Sequence, residues 1–170
     1  PGISRNLTGQ SILNPGLLSM TVEFQVYMPT LANSGSFLLN KYVDSVVSGT
    51  HGFGILTAPT SSTAQGTLTF KVASGSYTLS TDAVLTKGQW NHVAFVWDRR
   101  TSQNKLISYL NGDFHSSSSQ IEIGTMNMDS ADLIIGSGSA VPFFTGSVTF
   151  SGALDELRIW HSIRSQAERD

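Results

Sequence analysis

The chain contains no cysteine, so disulfide scaffolds, thiolate zinc sites and thiol nucleophiles are excluded. It is also short of charge. Charged residues make up only 13% of it, and 10 basic against 12 acidic side chains leave a net charge of −2. No basic stripe exists to neutralise phosphates, which argues against nucleic acid and against an electrostatic membrane surface as partners. No apolar run reaches the roughly 18 residues a membrane helix needs. The four histidines (His51, His92, His115 and His161) lack the paired spacing of a zinc site.

What the chain has instead is hydroxyls and turns. Serine (25), threonine (16) and glycine (16) dominate its 170 residues, so its surface is kept wet by hydroxyl and backbone groups rather than by ions. The length fits one domain over residues 1–170 with a sizeable core. The sequence opens on Pro1-Gly2-Ile3, which is read as a piece cut from a longer polypeptide.

Alternation is the strongest pattern. Met20, Val22, Phe24, Val26 and Met28 are apolar, and Thr21, Glu23, Gln25 and Tyr27 lie between them. Period two over nine residues means a strand with one buried face, and Pro29 ends it because proline cannot donate to a ladder. Further strands are expected at 36–42, 52–57, 67–72, 76–80, 91–97, 105–110, 119–123, 132–136, 146–150 and 153–160. The 91–97 segment is apolar on both faces and reads as a central strand. Asn111-Gly112 after Leu110 is a tight-turn signal. About eleven short strands without a substantial helix predict an all-β fold, a two-sheet antiparallel β-sandwich or a barrel. Ser165-Gln166-Ala167-Glu168 has capping-box spacing, so a helix is expected to begin there. Asn6-Leu7-Thr8 is a glycosylation sequon. The segments 60–66 and 116–119 are low in complexity and read as solvated connectors or recognition loops.

Several motifs in order resemble one family. Gly88-Gln89-Trp90-Asn91-His92-Val93-Ala94 is similar to its central signature, and Tyr109-Leu110-Asn111-Gly112 to its hairpin. Leu133-Ile134-Ile135-Gly136, Phe144-Thr145-Gly146 and Phe150–Trp160 resemble its later strands and closing motif. The family is the laminin G-like, concanavalin A-like jelly roll, related to pentraxins and legume lectins. The resemblance implies a jelly-roll sandwich, a non-catalytic recognition role and an extracellular or cell-surface setting. It also implies one structural calcium near the closing motif, and Trp90 packed beneath the central strand.

Candidate site residues follow from chemistry. Parity places Asp155 on the same face as Ala153, Leu157 and Ile159. A carboxylate there would be desolvated and would need a metal or backbone N–H groups. It reads as a calcium ligand or as a carboxylate bonded at a strand end. Asn127, Asp129 and Asp132 crowd one loop, where they read as turn residues, as calcium ligands or as sugar contacts. Asp98 and Asp113 flank the loops around the central hairpin and carry the same alternatives, and Asn111 of the turn is a further ligand-binding candidate. Tyr42, with Tyr77, Phe143, Phe144 and Trp160, is a candidate for stacking on a sugar ring.

Catalysis is not expected. The glucanases of the resembled fold carry Glu-x-Asp-x-x-Glu on one strand, and here Ala153 and Arg158 stand where the two glutamates would be. Retaining hydrolysis needs two carboxyls about 5 Å apart. The expected partner is a glycan or an extracellular protein. The leading reading is a lectin-like, calcium-stabilised module, with an adhesion domain or a glycosidase accessory domain as alternatives.

Overall fold

The computed structural model describes residues 13–45, 49–100, 103–119, 121–126, 128, 130–146 and 148–165. The sequon at Asn6, the loop residues Asn127 and Asp129, and the expected helix beyond Ser165 lie outside the described residues. Eleven strands are present: β1 (Met20–Tyr27), β2 (Ser36–Ser45), β3 (Gly49–Thr57), β4 (Gln65–Gly75), β5 (Tyr77–Thr86) and β6 (Trp90–Asp98) in the first part of the chain. There follow β7 (Lys105–Leu110), β8 (Asp113–Ser117), β9 (Ile134–Ile135), β10 (Val148–Thr149) and β11 (Ala153–Trp160).

They form two sheets. One has five strands in the order β11-β1-β6-β7-β8. The other has six, in the order β10-β2-β3-β4-β5, with β9 also paired to β2. All pairings are antiparallel except that of β10 with β2. This is the expected β-sandwich, and β6 is the central strand of its sheet, as its two apolar faces required.

The sheets close over a single large core. Met20, Val22, Phe24 and Val26 of β1 meet Val93, Phe95 and Trp97 of β6, with Phe53, Ile55, Leu68, Phe70 and Val72 opposite. Phe70 and Phe95 stack across the interior at 5.3 Å. Each such ring contributes roughly 1.5–3 kcal/mol through burial. Trp97 is fully buried, and its indole N–H donates to Asn104 Oδ1 at 3.1 Å, which satisfies its one polar atom.

Some boundaries differ from the sequence expectation. The strand expected at 119–123 gives only an isolated bridge, Asn104 with Ile121. The return strand is β8 instead. Asn111 and Gly112 both adopt positive φ, 51° and 86°, which makes a two-residue turn whose twist matches the flanking strands. The ladder therefore resumes at once, at Asp113. The weakly patterned 76–80 segment is the start of a ten-residue strand, because Leu79, Thr81, Ala83 and Leu85 all point inward. Threonine and alanine at two of those positions hid the alternation.

Loops at the sandwich ends are tied by a buried lysine and a half-buried arginine. Lys87 Nζ donates to Leu31 O, Asn33 Oδ1 and Ser62 O at 2.7, 2.7 and 2.8 Å. Burial pulls this ammonium below its ordinary pKa, and the three oxygens oppose that by favouring the charged form. Arg99 similarly donates to the carbonyls of Gly16, Ile123 and Gly124.

Candidate functional site

The two outer faces of the sandwich differ. On the six-stranded sheet, the segment from Gly136 to Gly146 folds back over the strands. Phe144 is fully buried there and stacks on Tyr42 with centroids 5.2 Å apart. Phe37, Leu56 and Ala73 complete a second apolar cluster. Gly138 and Gly146 lie against the Phe37 ring, where an added Cβ would come within 2.6 Å. Tyr42 donates its hydroxyl to Ser139 O at 2.5 Å. Its ring face and its hydroxyl are both used inside the protein, so it serves packing here. Phe144, another stacking candidate, is core.

The outer face of the five-stranded sheet carries a cleft of about 420 Å³ lined by Glu23, Gln25, His92, Asn111, Glu156 and Arg158. Strand parity assembles it. Glu23 and Gln25 are the outward positions of β1, and Gln25 lies opposite His92 on β6 and Asp155 on β11. The Asn111-Gly112 turn brings Asn111 to the rim. Asn111 Oδ1 accepts the His92 amide at 2.9 Å, which fixes the turn against β6.

Asp155 is a correction. It is exposed rather than desolvated. A bulge between the pairs Glu23–Arg158 and Gln25–Asp155 inserts one residue, and Glu156 takes the left-handed conformation there, φ 52°. An extra residue reverses parity. Leu154, Leu157 and Ile159 therefore pack on the core, while Asp155 and Arg158 share the outer face. Asp155 Oδ1 accepts the Glu156 amide at 2.8 Å, a local bond at the bulge inside β11.

The buried carboxylate of this region is Glu23, at 2% exposure. Its Oε1 accepts the Trp160 indole N–H at 3.2 Å, with Arg158 Nη1 at 3.7 Å and Arg164 Nη1 at 4.0 Å. Its Oε2 is buried with no hydrogen-bond partner among the described residues. Arg158 also pairs with Glu156. Sequence alone read Glu23 as one more polar position in an alternating strand. Its burial comes from Trp160 and Arg164, more than 130 residues away.

Exposed aromatic rings share the sheet face that carries the cleft. Trp90, expected in the core, is 50% exposed. It is two residues from His92 on β6 and so shares its outward face. It packs beside Tyr27 at 5.9 Å between centroids. On β8, Phe114, 64% exposed, meets Tyr109 edge-on at 6.3 Å. Of the other sequence candidates, Asp113 is exposed at the start of β8. Asp132 is exposed beside Ala131, whose carbonyl accepts the buried Lys41 ammonium at the β2 edge. Neither lines the cleft, so the structure gathers Asn111 into it and leaves Asp113, Asp132 and Tyr42 elsewhere.

A calcium cage needs six to eight oxygen ligands. Among the described residues no three acidic or histidine side chains converge to hold an ion. Asp155 Oδ1 and Glu156 are engaged by a backbone amide and by Arg158, and Asn127 and Asp129 lie outside the described residues.

The family model described as the concanavalin A-like lectin/glucanases superfamily matches residues 6–168. No curated protein matches the chain. Among solved structures, a heptameric SAP-like pentraxin from Limulus polyphemus is similar at 19% identity and a TM-score of 0.58, over 92% of this chain and 70% of that one. The CBM40 of a Ruminococcus gnavus IT-sialidase, solved bound to α2,3-sialyllactose, is similar at 18% identity and a TM-score of 0.59, over 91% and 82%. The binding domain of botulinum neurotoxin serotype C1 is similar at 10% identity and a TM-score of 0.61, over 89% of this chain and 35% of that one. At these identities the likeness concerns the fold. The family match spans nearly the whole sequence, and the chain belongs to the concanavalin A-like lectin/glucanases superfamily.

Proposed function

We propose that the chain is a non-catalytic carbohydrate-recognition module that takes its ligand in the cleft on the five-stranded sheet. The observation carrying this reading is the convergence of Gln25, His92, Asn111 and Glu156 on one open face, with the exposed ring of Trp90 on that same face two residues from His92. A few placed polar groups beside aromatic surface are what a sugar site requires. Likeness in fold to a carbohydrate-binding domain solved with a bound glycan supports a glycan as the ligand, and not that domain's own acidic sugar. The absence of catalysis is part of the proposal. Arg158 stands between Glu23 and Glu156, so these carboxylates face a guanidinium rather than each other across a gap that a glycosidic bond would occupy. An extracellular or cell-surface setting goes with such a ligand.

Glycan-array binding followed by calorimetry tests the reading, with wild type, Trp90→Ala and the Gln25→Ala/His92→Ala double variant. The double variant is expected to weaken binding about tenfold or more, as loss of two polar contacts at ~1 kcal/mol each implies. Trp90→Ala is expected to weaken it several-fold. Melting temperatures should stay near wild type. Binding that ignores both variants, or no glycan bound at all, overturns the proposal. A chelator arm addresses calcium: affinity unchanged by chelation is expected from a cleft whose described residues build no ion cage.

A further inference from the structure

Resting on the cleft assignment above, we infer that the site selects neutral, hydroxyl-bearing sugars and rejects acidic ones. The charges in the cleft decide this. Glu23 and Glu156 line it, and Asp155 lies on the same sheet face opposite Gln25. The single guanidinium in the lining, Arg158, is already engaged by Glu156 and lies 3.7 Å from Glu23. A sugar carboxylate or sulfate brings only acceptor oxygens and negative charge. It would have to draw Arg158 away from two carboxylates and leave them facing an anion. Glu23 makes that arrangement costly, since it is 2% exposed and its Oε2 already lacks a hydrogen-bond partner among the described residues. A buried carboxylate that loses one of its compensating charges carries a larger desolvation penalty, and Glu23 would keep Arg164 Nη1, at 4.0 Å, as its remaining cation among the described residues.

A neutral sugar needs none of this rearrangement. Its hydroxyls donate to Glu156 and to the Gln25 carbonyl oxygen. Its ring oxygens accept from the amide groups of Gln25 and Asn111 or from His92. The ion pair then works as a rejection device, because specificity is set as much by what a site repels as by what it attracts.

The test is a panel of neutral glycans, each paired with the same glycan carrying a terminal sialic or uronic acid, applied to wild type and to Glu156→Gln. Glu156 is more than half exposed, and glutamine keeps its shape, so folding is not at stake; a thermal melt checks it. Wild type is expected to bind neutral members about tenfold or more tightly than their acidic partners, the scale of like-charge rejection at a close contact. Glu156→Gln, which releases Arg158, is expected to narrow that ratio at least several-fold, chiefly by improving the acidic members. Equal or tighter wild-type binding of acidic members overturns this inference and leaves the cleft assignment standing. An unchanged ratio in Glu156→Gln also overturns it. Failure of every glycan to bind removes the cleft assignment and this inference together.

Discussion

Over β2 and β3 the outer face of the six-stranded sheet is covered by the protein's own chain, whereas the outer face of the five-stranded sheet around Gln25 and His92 is left open among the described residues. Over the first, Phe144 and the glycine-bearing 136–146 segment supply the cover, and Phe37, Leu56 and Ala73 supply apolar positions for it to bury. Over the second, residues Trp160 to Arg164 reach Thr21 and Glu23, where Thr21 Oγ1 donates to Ser162 O at 2.7 Å, and stop short of Gln25 and His92. What remains bare is polar around the cleft and carries the exposed ring of Trp90. Burial on one face adds stability, and exposure on the other leaves room for a ligand.

The sharpest way to break this comparison is to uncover the closed face. Phe144→Ala removes the buried ring and its stack on Tyr42. It should cost about 3–5 kcal/mol in denaturant unfolding while leaving glycan affinity unchanged in the molecules that remain folded. An affinity loss equal to that of the cleft variants would mean that the closed face takes part in binding. A smaller effect is expected from Asn40→Ala, which deletes the 2.7 Å bond from Asn40 Nδ2 to Ser137 O that pins the covering segment to β2. About 1–2 kcal/mol of lost stability is the scale for leaving such a carbonyl unsatisfied. No change in midpoint would show that packing alone holds the cover.

The smallest effect concerns the five-stranded sheet, where Arg100 beside Asp98 at 2.8 Å holds the Asp98 carboxyl below its ordinary value of 3.8. A carboxyl whose folded pKa is depressed adds stability above the unfolded value and loses it as pH falls toward the folded one. Acid titration should therefore show a slight Asp98-dependent loss of stability below about pH 4, absent in Asp98→Asn. The exposure of Arg100 keeps it slight. A large loss would mean that this open sheet depends on surface charge more than its exposed contacts imply.

Much of this was legible in the residues. The nine-residue alternation from Met20 gave β1, its inward face and its outward row of Thr21, Glu23, Gln25 and Tyr27. The apolar run from Val93 to Trp97 marked the central strand, and Asn111-Gly112 marked the hairpin that brings Asn111 to the cleft. The site itself was mostly hidden. Alternation carried through β11 puts Asp155 in the core, and the bulge that interrupts the strand turns it out. Resemblance puts Trp90 in the core, whereas it shares parity with the outward-facing His92. Tyr42 was a candidate platform, but its ring is occupied by a phenylalanine about a hundred residues later.

The sequence by itself determined most of the strands and, where no bulge intervenes, which face of the sheet each of their residues takes. That information is local, because side chains alternate along any extended chain. Only the tertiary structure decided which outward positions are covered and which stay open, since covering depends on segments far away in sequence. It also decided that Glu23 is the buried acid and Asp155 the exposed one. One extra residue at Asp155–Glu156 shifts every later side chain of β11 to the opposite face, and no periodicity within that strand announces it.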